Sequence, residues 1–262
     1  MEREIKTIHD YLMAILPYQQ RAFAQIHRFG FDRPALLFRG KKAKKKLRAK
    51  IADVVASNDI SRQISFERER LSFLRRRLGI SCSDWDIVAL AQHHGIATRF
   101  LDWTSNSLTA LWFALGREED SYAETGASEV WLLETTESDF DIPEEERSPI
   151  PEKKGRRTII FTPQLIDCRI PAQDSYLMRQ VYEHVDLDKK LEIRPVDDNP
   201  TFAERIYRIK ITDNNNVRSH LLNELENYRY DTSHILPDSN DSKSKSWDTI
   251  RKDCDKLVEY FK

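Results

Sequence analysis

The most informative stretch of the sequence for the fold is Thr98-Arg99-Phe100-Leu101-Asp102-Trp103-Thr104, together with the residues that follow it. Its aromatic and branched residues predict a strand over Thr98–Trp103. Ser105-Asn106 is typical of a turn, and the apolar residues of Ser107–Leu115 predict a short helix. A strand that turns directly into a helix brings polar side chains and a helix N-terminus to one edge of a sheet, which suits a bound anion.

Two interpretations of this edge stay open at the level of sequence. In the first, Asp102, Thr104 and Asn106 surround a bound anion. In the second, the same three side chains only cap the helix that begins at Ser107. The two interpretations carry about equal weight.

Helices and strands alternate irregularly on both sides of this stretch. A helical pattern runs over Ile5–Phe29, where Pro17 predicts an interruption into two helices. Further strands are predicted at Ala35–Gly40, Ser128–Glu134, Thr158–Phe161 and Arg205–Ile211, and further helices at Gln63–Leu78, Asp84–His94, Val217–Tyr228 and Trp247–Phe261. This order predicts an α+β fold with a mixed or mainly antiparallel sheet and flanking helices. We expect one domain over residues 1–262, with N-terminal helices at 1–33, a core at 34–212 and C-terminal helices at 213–262.

Composition and charge exclude several classes of protein. Lys and Arg number 42 against 43 Asp and Glu, so the formal net charge of −1 gives no global attraction to nucleic acid or to an anionic membrane. The three cysteines lie far apart and no ligand spacing for zinc is present, so we expect neither a disulfide framework nor a metal. With seven glycines, the chain has no glycine-rich phosphate loop. The charged N-terminal residues do not resemble a signal peptide, so we expect none, and we expect a cytoplasmic protein with no membrane partner.

An arginine stands in the strand pattern Ala35-Leu36-Leu37-Phe38-Arg39-Gly40. A buried arginine is costly unless it is paired, and its planar guanidinium suits a pyrophosphate or a carboxylate. The alternative is a structural salt bridge to Glu67 or Asp102. The following run, Lys41–Lys50, has seven basic residues in ten and no aromatic residue, which favours a solvated surface over a nucleic-acid patch.

A pair of histidines stands at the end of the helix predicted over Asp84–His94, in the sequence Gln92-His93-His94-Gly95. Gly95 suits the C-terminal stop of that helix, and histidines are favourable near its negative end. Neighbouring histidines on a helix point in different directions, so they do not bind one metal together. The alternative to a capping role is that one of them hydrogen-bonds a ribose or a base.

Four groups of residues carry a family resemblance. They are Phe38-Arg39-Gly40, the unbroken run from Gln92 to Thr104, Ala110 with Phe113-Ala114, and Arg169-Ile170 with Ala172-Gln173. Together they resemble the FRG-domain family. The chain departs from that family's pattern at Lys41, where glutamine is common, and at Pro237-Asp238-Ser239-Asn240-Asp241, where the family tail reads Pro-Asp-Leu-Asp-Gly.

The order of elements also resembles, more loosely, mono-ADP-ribosyltransferases of the Arg–Ser–Glu type. Arg39 corresponds to their early arginine, Trp103-Thr104-Ser105 to their central strand, and Gln173 stands near their late glutamate. This resemblance implies an ADP-ribosyltransferase-like fold and NAD as the substrate. It implies ADP-ribosyl transfer or NAD glycohydrolysis, with a protein, a nucleic acid or water as acceptor, in a toxin or an anti-phage defence effector.

The resemblance also assigns roles to particular residues. The implied catalytic residues are Arg39, Asp102, Thr104 and Gln173. The implied substrate-binding residues are Phe38, Gly40, Gln92, His93, His94, Thr98, Arg99 and Trp103. Because cleavage at the nicotinamide ribose builds an oxocarbenium-like cation, a glutamine in place of a carboxylate would cost roughly 10²–10³ in rate. Asp102 is the best substitute acid, and Glu134, Glu183 and Glu204 are weaker candidates.

Two functions of another class remain as alternatives. The first is a nucleotide- or nucleic-acid-binding module without catalysis, which the Lys41–Lys50 run and Gln173 favour. The second is a regulatory interaction partner whose motif residues form a structural network.

Overall fold

The computed structural model describes residues 4–42, 46–54, 60–79, 81–116, 127–143, 147–150, 157–164, 167–184, 191–212, 214–237, 248–254 and 256. In this part of the chain, eight strands form two sheets. They are β1 (Leu36–Lys42), β2 (Phe100–Thr104), β3 (Ser128–Glu134), β4 (Ile159–Phe161), β5 (Ser175–Arg179), β6 (Tyr182–His184), β7 (Leu191–Ile193) and β8 (Ile206–Lys210). The main sheet has the order β4-β5-β2-β1-β3-β8, β6 pairs with β7, and every pair is antiparallel. The fold is therefore α+β with an antiparallel sheet, as the sequence predicts.

Helices of very different length surround the sheet. They are α1 (Ile8–Phe29), α2 (Ile51–Val54), α3 (Ile60–Leu78), α4 (Asp84–His93), α5 (Ser107–Leu115), α6 (Arg169–Ala172), α7 (Asn215–Asn227) and α8 (Thr232–Ile235). Single 3₁₀ turns lie at Glu137–Phe140 and Val196–Asp198, and residues 248–254 are helical. Within the described ranges, no helix is both long enough and apolar enough to cross a lipid bilayer.

Side chains alternate between two faces of the sheet, because successive residues of a strand point to opposite sides. On one face Phe38, Val130 and Leu132 pack against α1, α5 and α7. On the other face Leu37 and Trp131 join a second cluster, which loop residues including Leu47, Val196 and Phe202 cover. The helix α4 packs on the first face, beside Phe100 and Leu177. This arrangement brings the C-terminal end of α4 to strand β2.

The helix α1 differs from the sequence prediction, because it continues through Pro17 without a break. It begins at a capping box formed by Thr7 and Asp10 and ends at Gly30, which adopts a left-handed φ of 68°. Proline inside a helix removes one hydrogen bond and costs about 3 kcal/mol. Apolar side chains are buried on both sides of the proline, and they hold the two halves in one helix. These side chains are Ile8, Tyr11, Ile15 and Ala22.

Two further elements differ from the sequence analysis. Strand β5 was not predicted, since its terminal Arg179 is fully buried and a charged residue conceals the apolar pattern of a buried strand. The predicted terminal helix over Trp247–Phe261 is helical at residues 248–254, and the rest of its length lies largely outside the described residues.

Candidate functional site

The main sheet divides between its two central strands. Strand β1 pairs with β3 at all seven of its residues, and β2 pairs with β5 at all five. Between β1 and β2, the described residues form a single register pair, Phe38 with Thr104. Continued pairing would set Gly40 opposite Asp102, so the strands part immediately after Phe38.

Arg39 lies at this division and bridges it. Its Nη1 donates a hydrogen bond to the main-chain oxygen of Asp102 and lies 3.6 Å from the carboxylate Oδ2 of the same residue. The guanidinium thus takes the place of a strand-to-strand hydrogen bond. Burial lowers the pKa of Arg39, and the Asp102 carboxylate opposes that shift. The Nε atom is buried and has no hydrogen-bond partner among the described residues.

Asp102 is held from the other side by α4. Gln92 Nε2 donates to Asp102 Oδ2 at 2.8 Å, and Gln92 Oε1 accepts from the Thr98 hydroxyl at 2.5 Å. The second carboxylate oxygen, Oδ1, is buried without a partner in the described part of the chain. Asp102 therefore has one oxygen committed to the protein and one that is not.

His93 is the last residue of α4 and adds a third polar atom to this region. Its Nε2 is buried and finds no partner within the described ranges. Burial lowers the pKa of His93, and the Asp102 carboxylate is the largest influence that opposes the shift. The imidazole is accordingly neutral at physiological pH, when its Nε2 can donate or accept one hydrogen bond.

His94 points elsewhere, as expected for neighbouring residues on a helix. Its Nε2 lies 3.1 Å from Asp167 Oδ2. Although burial acts to raise it, the pKa of Asp167 falls to about 2 because of hydrogen bonds from His94 and from the main-chain N–H of Arg169. The two histidines thus serve different neighbours. Among the described residues, no group of three or more His, Cys, Asp and Glu side chains could hold a metal ion.

Thr104 and Gln173 form a separate contact next to this cluster. The Thr104 hydroxyl donates to the main-chain oxygen of Gln173 at 2.6 Å. The Gln173 side chain is buried, and its Nε2 donates to the main-chain oxygen of Ile235 at 2.9 Å. Both groups that were assigned catalytic roles thus make hydrogen bonds inside the protein, and those bonds tie β2 to α8.

Of the polar residues in and after β2, Asn106 fulfils the capping interpretation, whereas Asp102 is bound to Gln92 and Arg39. Asn106 is the N-cap of α5, and its Oδ1 accepts from the main-chain N–H groups of Leu108 and Thr109. Its Nδ2 donates to Asp174 and to the hydroxyl of Tyr230. The N-terminus of α5 is therefore occupied by the side chain of the protein itself.

Phe38 and Gly40 place β1 against α5. Phe38 is buried in the core on the helical face of the sheet. A Cβ at Gly40 would lie 1.9 Å from the main-chain oxygen of Ala110 and 2.4 Å from the main-chain nitrogen of Ala114. Glycine in the strand and alanine in the helix thus allow the close approach of two backbones. This contact explains in physical terms why these small residues occur together in the sequence motif.

Arg99 and Trp103 make contacts that differ from those of the Arg39–Asp102 pair. The Arg99 guanidinium makes two hydrogen bonds to Glu67 of α3, at 2.6 and 2.7 Å, and both side chains are buried. Tyr182 also donates to Glu67, at 3.1 Å. The indole of Trp103 is buried in the cluster on the other face of the sheet.

The described basic residues of Lys41–Lys50 have different partners. Lys41 is paired with Glu129 at 3.1 Å, and Lys42 donates to the main-chain oxygen of Leu115 at 2.7 Å. Arg48 is paired with Asp53. Lys44 and Lys45 lie outside the described residues.

One residue that was not assigned a role contacts the site. Arg169 Nη1 donates to the main-chain oxygen of His93 at 3.0 Å, and its Nε lies 3.5 Å from the main-chain oxygen of Pro237. Arg169 belongs to the Arg169-Ile170 motif, but its contact with His93 spans 76 positions of the sequence. A local sequence pattern cannot predict a contact between residues 76 positions apart.

These observations define a class of protein, namely an α+β protein whose antiparallel sheet divides at a cluster of arginine, aspartate and histidine. The family model of the FRG domain matches residues 34–123. The match covers β1 to α5 and includes Arg39, Gln92, His93 and Asp102, whereas Gln173 lies beyond it. No curated protein and no solved structure matches the chain.

Proposed function

We propose that the chain binds a pyrophosphate-bearing nucleotide such as NAD at the Arg39–Asp102–His93 cluster and cleaves its nicotinamide–ribose bond. The observation that supports this proposal is the set of three buried polar atoms without partners in the described part of the chain, on Arg39, Asp102 and His93. Buried polar atoms in native proteins are nearly always hydrogen-bonded. Three exceptions in one region therefore favour a polar ligand there.

The chemistry of the three groups fits such a ligand. Arg39 provides a positive charge and an uncommitted N–H for a phosphate oxygen. Asp102 Oδ1 can accept a hydrogen bond from a ribose hydroxyl, and the carboxylate can stabilise a cation that develops on the ribose. The neutral imidazole of His93 can hydrogen-bond a second hydroxyl or a base. In this proposal ADP-ribose passes to water or to an acceptor side chain.

A second function is favoured by the contacts of Gln173. Its amide is uncharged and committed to Ile235, so it supplies no carboxylate to a reaction. If Asp102 does not replace that carboxylate, the same cluster serves a nucleotide-binding module without catalysis. The two functions share the binding site and differ in whether nicotinamide is released.

Binding is tested by calorimetry with NAD on the wild-type protein, on Arg39→Ala and on the control Arg205→Ala. Arg205 is a fair match, because its side chain is 23% exposed, as is that of Arg39, and it is also paired with an aspartate, Asp139. Loss of a charged hydrogen bond predicts that Arg39→Ala binds NAD about tenfold to a hundredfold more weakly. Arg205→Ala should bind as the wild type does. Equal affinity of a folded Arg39→Ala, or no binding by the wild type, would overturn the proposal.

Catalysis is tested separately by following nicotinamide release. Asp102→Asn keeps the size of the side chain and removes its charge. If Asp102 stabilises the cation, this variant should bind NAD but release nicotinamide roughly 10²–10³ times more slowly. Binding without release by the wild type would assign the non-catalytic function.

A further inference from the structure

A main-chain N–H determines in which direction the hydroxyl of Thr98 can donate its proton. The Phe100 N–H donates to Thr98 Oγ1 at 3.1 Å, so this oxygen acts as an acceptor. A hydroxyl that accepts in this way still has one proton to donate. That proton is directed to Gln92 Oε1, which lies 2.5 Å away.

The amide of Gln92 is consequently oriented from both ends. Its Oε1 accepts from Thr98, and its Nε2 donates to Asp102 Oδ2 at 2.8 Å. An amide turned the other way would set its oxygen against a carboxylate, and an ionised carboxylate can only accept. Each hydrogen bond in the series from the Phe100 N–H through Thr98 and Gln92 to Asp102 therefore has only one possible donor and one possible acceptor.

We propose that Thr98 and Gln92 are positioning residues, which act through Asp102 and do not contact the ligand. They hold Asp102 Oδ2 so that Oδ1, which has no partner among the described residues, is the oxygen that faces the ligand. This inference rests on the proposed function, since it takes the ligand to bind at Asp102. It differs from a purely structural role, because loss of one hydroxyl should change the geometry of a carboxylate two hydrogen bonds away.

The direct test is NMR of the side-chain amide of Gln92 in ¹⁵N-labelled protein. Thr98→Val removes the hydroxyl with little change of volume, and the Gln92 amide resonances should move. Thr98→Ser keeps the hydroxyl and should restore them. The control is Thr109→Val, since Thr109 is also buried but its hydroxyl has no partner in the described part of the chain. That control should leave the Gln92 resonances in place.

NAD titrations of the same variants connect the hydrogen-bond chain to the ligand. Thr98→Val should weaken NAD binding about fivefold, the effect of one ordinary hydrogen bond, and Thr98→Ser should recover most of that loss. If the Gln92 resonances of Thr98→Val match those of the wild type, the positioning role is refuted. If the resonances respond but neither the wild type nor any variant binds NAD, the chain of hydrogen bonds stands and the proposed function fails.

Discussion

Gln173 donates its buried side-chain amide to the main-chain oxygen of Ile235 over 2.9 Å. The bond joins the turn before β5 to the short helix α8, across 62 positions of the sequence. A glutamate at this position could not donate that hydrogen bond unless it were protonated. The contact therefore gives Gln173 a structural reason to be an amide.

We predict that Gln173→Glu destabilises the protein by about 1–3 kcal/mol, because it sets a buried charge against a carbonyl oxygen. Urea denaturation measures this change in the free energy of unfolding. The control is Gln20→Glu on the exposed side of α1, which makes the same change of charge in solvent. If Gln173→Glu is as stable as the wild type and releases nicotinamide faster, the residue has a catalytic position and the structural explanation is wrong.

A second prediction concerns the contact between β1 and α5. In Gly40→Ala the new Cβ would meet the main-chain atoms of Ala110 and Ala114 at 1.9 and 2.4 Å. Because backbone atoms cannot move aside as a flexible side chain can, we expect a loss of about 3 kcal/mol or more in the free energy of unfolding.

The matched control for this substitution is Gly30→Ala at the end of α1. Gly30 has a φ of 68° and nothing within 4 Å of the position of a Cβ. Only the left-handed backbone is then unfavourable, at about 1–2 kcal/mol. Equal losses in the two variants would show that β1 and α5 are less tightly packed than the structure indicates.

Local patterns predicted much of the fold. The bounds of α5 and β3 agree with prediction at both ends, because Asn106 caps a mainly apolar helix and β3 is buried over nearly all its length. Pro17 shows where local rules fail, since burial on both sides of it outweighs its effect on the helix. The division of the sheet after the Phe38–Thr104 pair depends on contacts far apart in the sequence, and no local pattern contains it.

The sequence also predicted part of the candidate site, as it predicted part of the fold. The pairing of Arg39 with Asp102 was one of two that the sequence offered, and the structure selects it over Glu67, which binds Arg99 instead. The orientation of Gln92 depends on a main-chain N–H two residues beyond Thr98, so it could not be predicted without coordinates.

A third prediction concerns the buried ion pair of Arg99 with Glu67. Removal of one partner leaves an uncompensated buried charge, so Arg99→Met should cost about 3–5 kcal/mol in the free energy of unfolding. The double variant Arg99→Met with Glu67→Met removes both charges and should be more stable than Arg99→Met alone. Chemical denaturation of the three proteins measures the difference.

An exposed ion pair provides the comparison for that experiment. Arg251 is paired with Asp248 at 2.7 Å, and both side chains are about half exposed. Exposed pairs contribute about 0–1 kcal/mol, so Arg251→Met should have a small effect. If Arg99→Met is as mild as Arg251→Met, the pair with Glu67 does not support α3 as the structure suggests.

The last prediction is a dependence of stability on pH that comes from His93. Burial lowers the pKa of this imidazole below the value of 6.5 that it has in the unfolded chain. Below pH 6.5 the unfolded chain therefore binds more protons than the folded protein does, and folding is opposed. The contribution of His93 to stability is fully present above pH 6.5 and is lost as the pH falls from 6.5 towards the lower pKa of the folded state. His93→Asn should reduce the slope of unfolding free energy against pH in that window, measured by urea denaturation from pH 5 to pH 8. An unchanged slope in His93→Asn, or an NMR titration of His93 with its midpoint at or above 6.5, would show that burial does not govern the protonation of the imidazole, and the case for an uncommitted buried Nε2 at the site would fail with it.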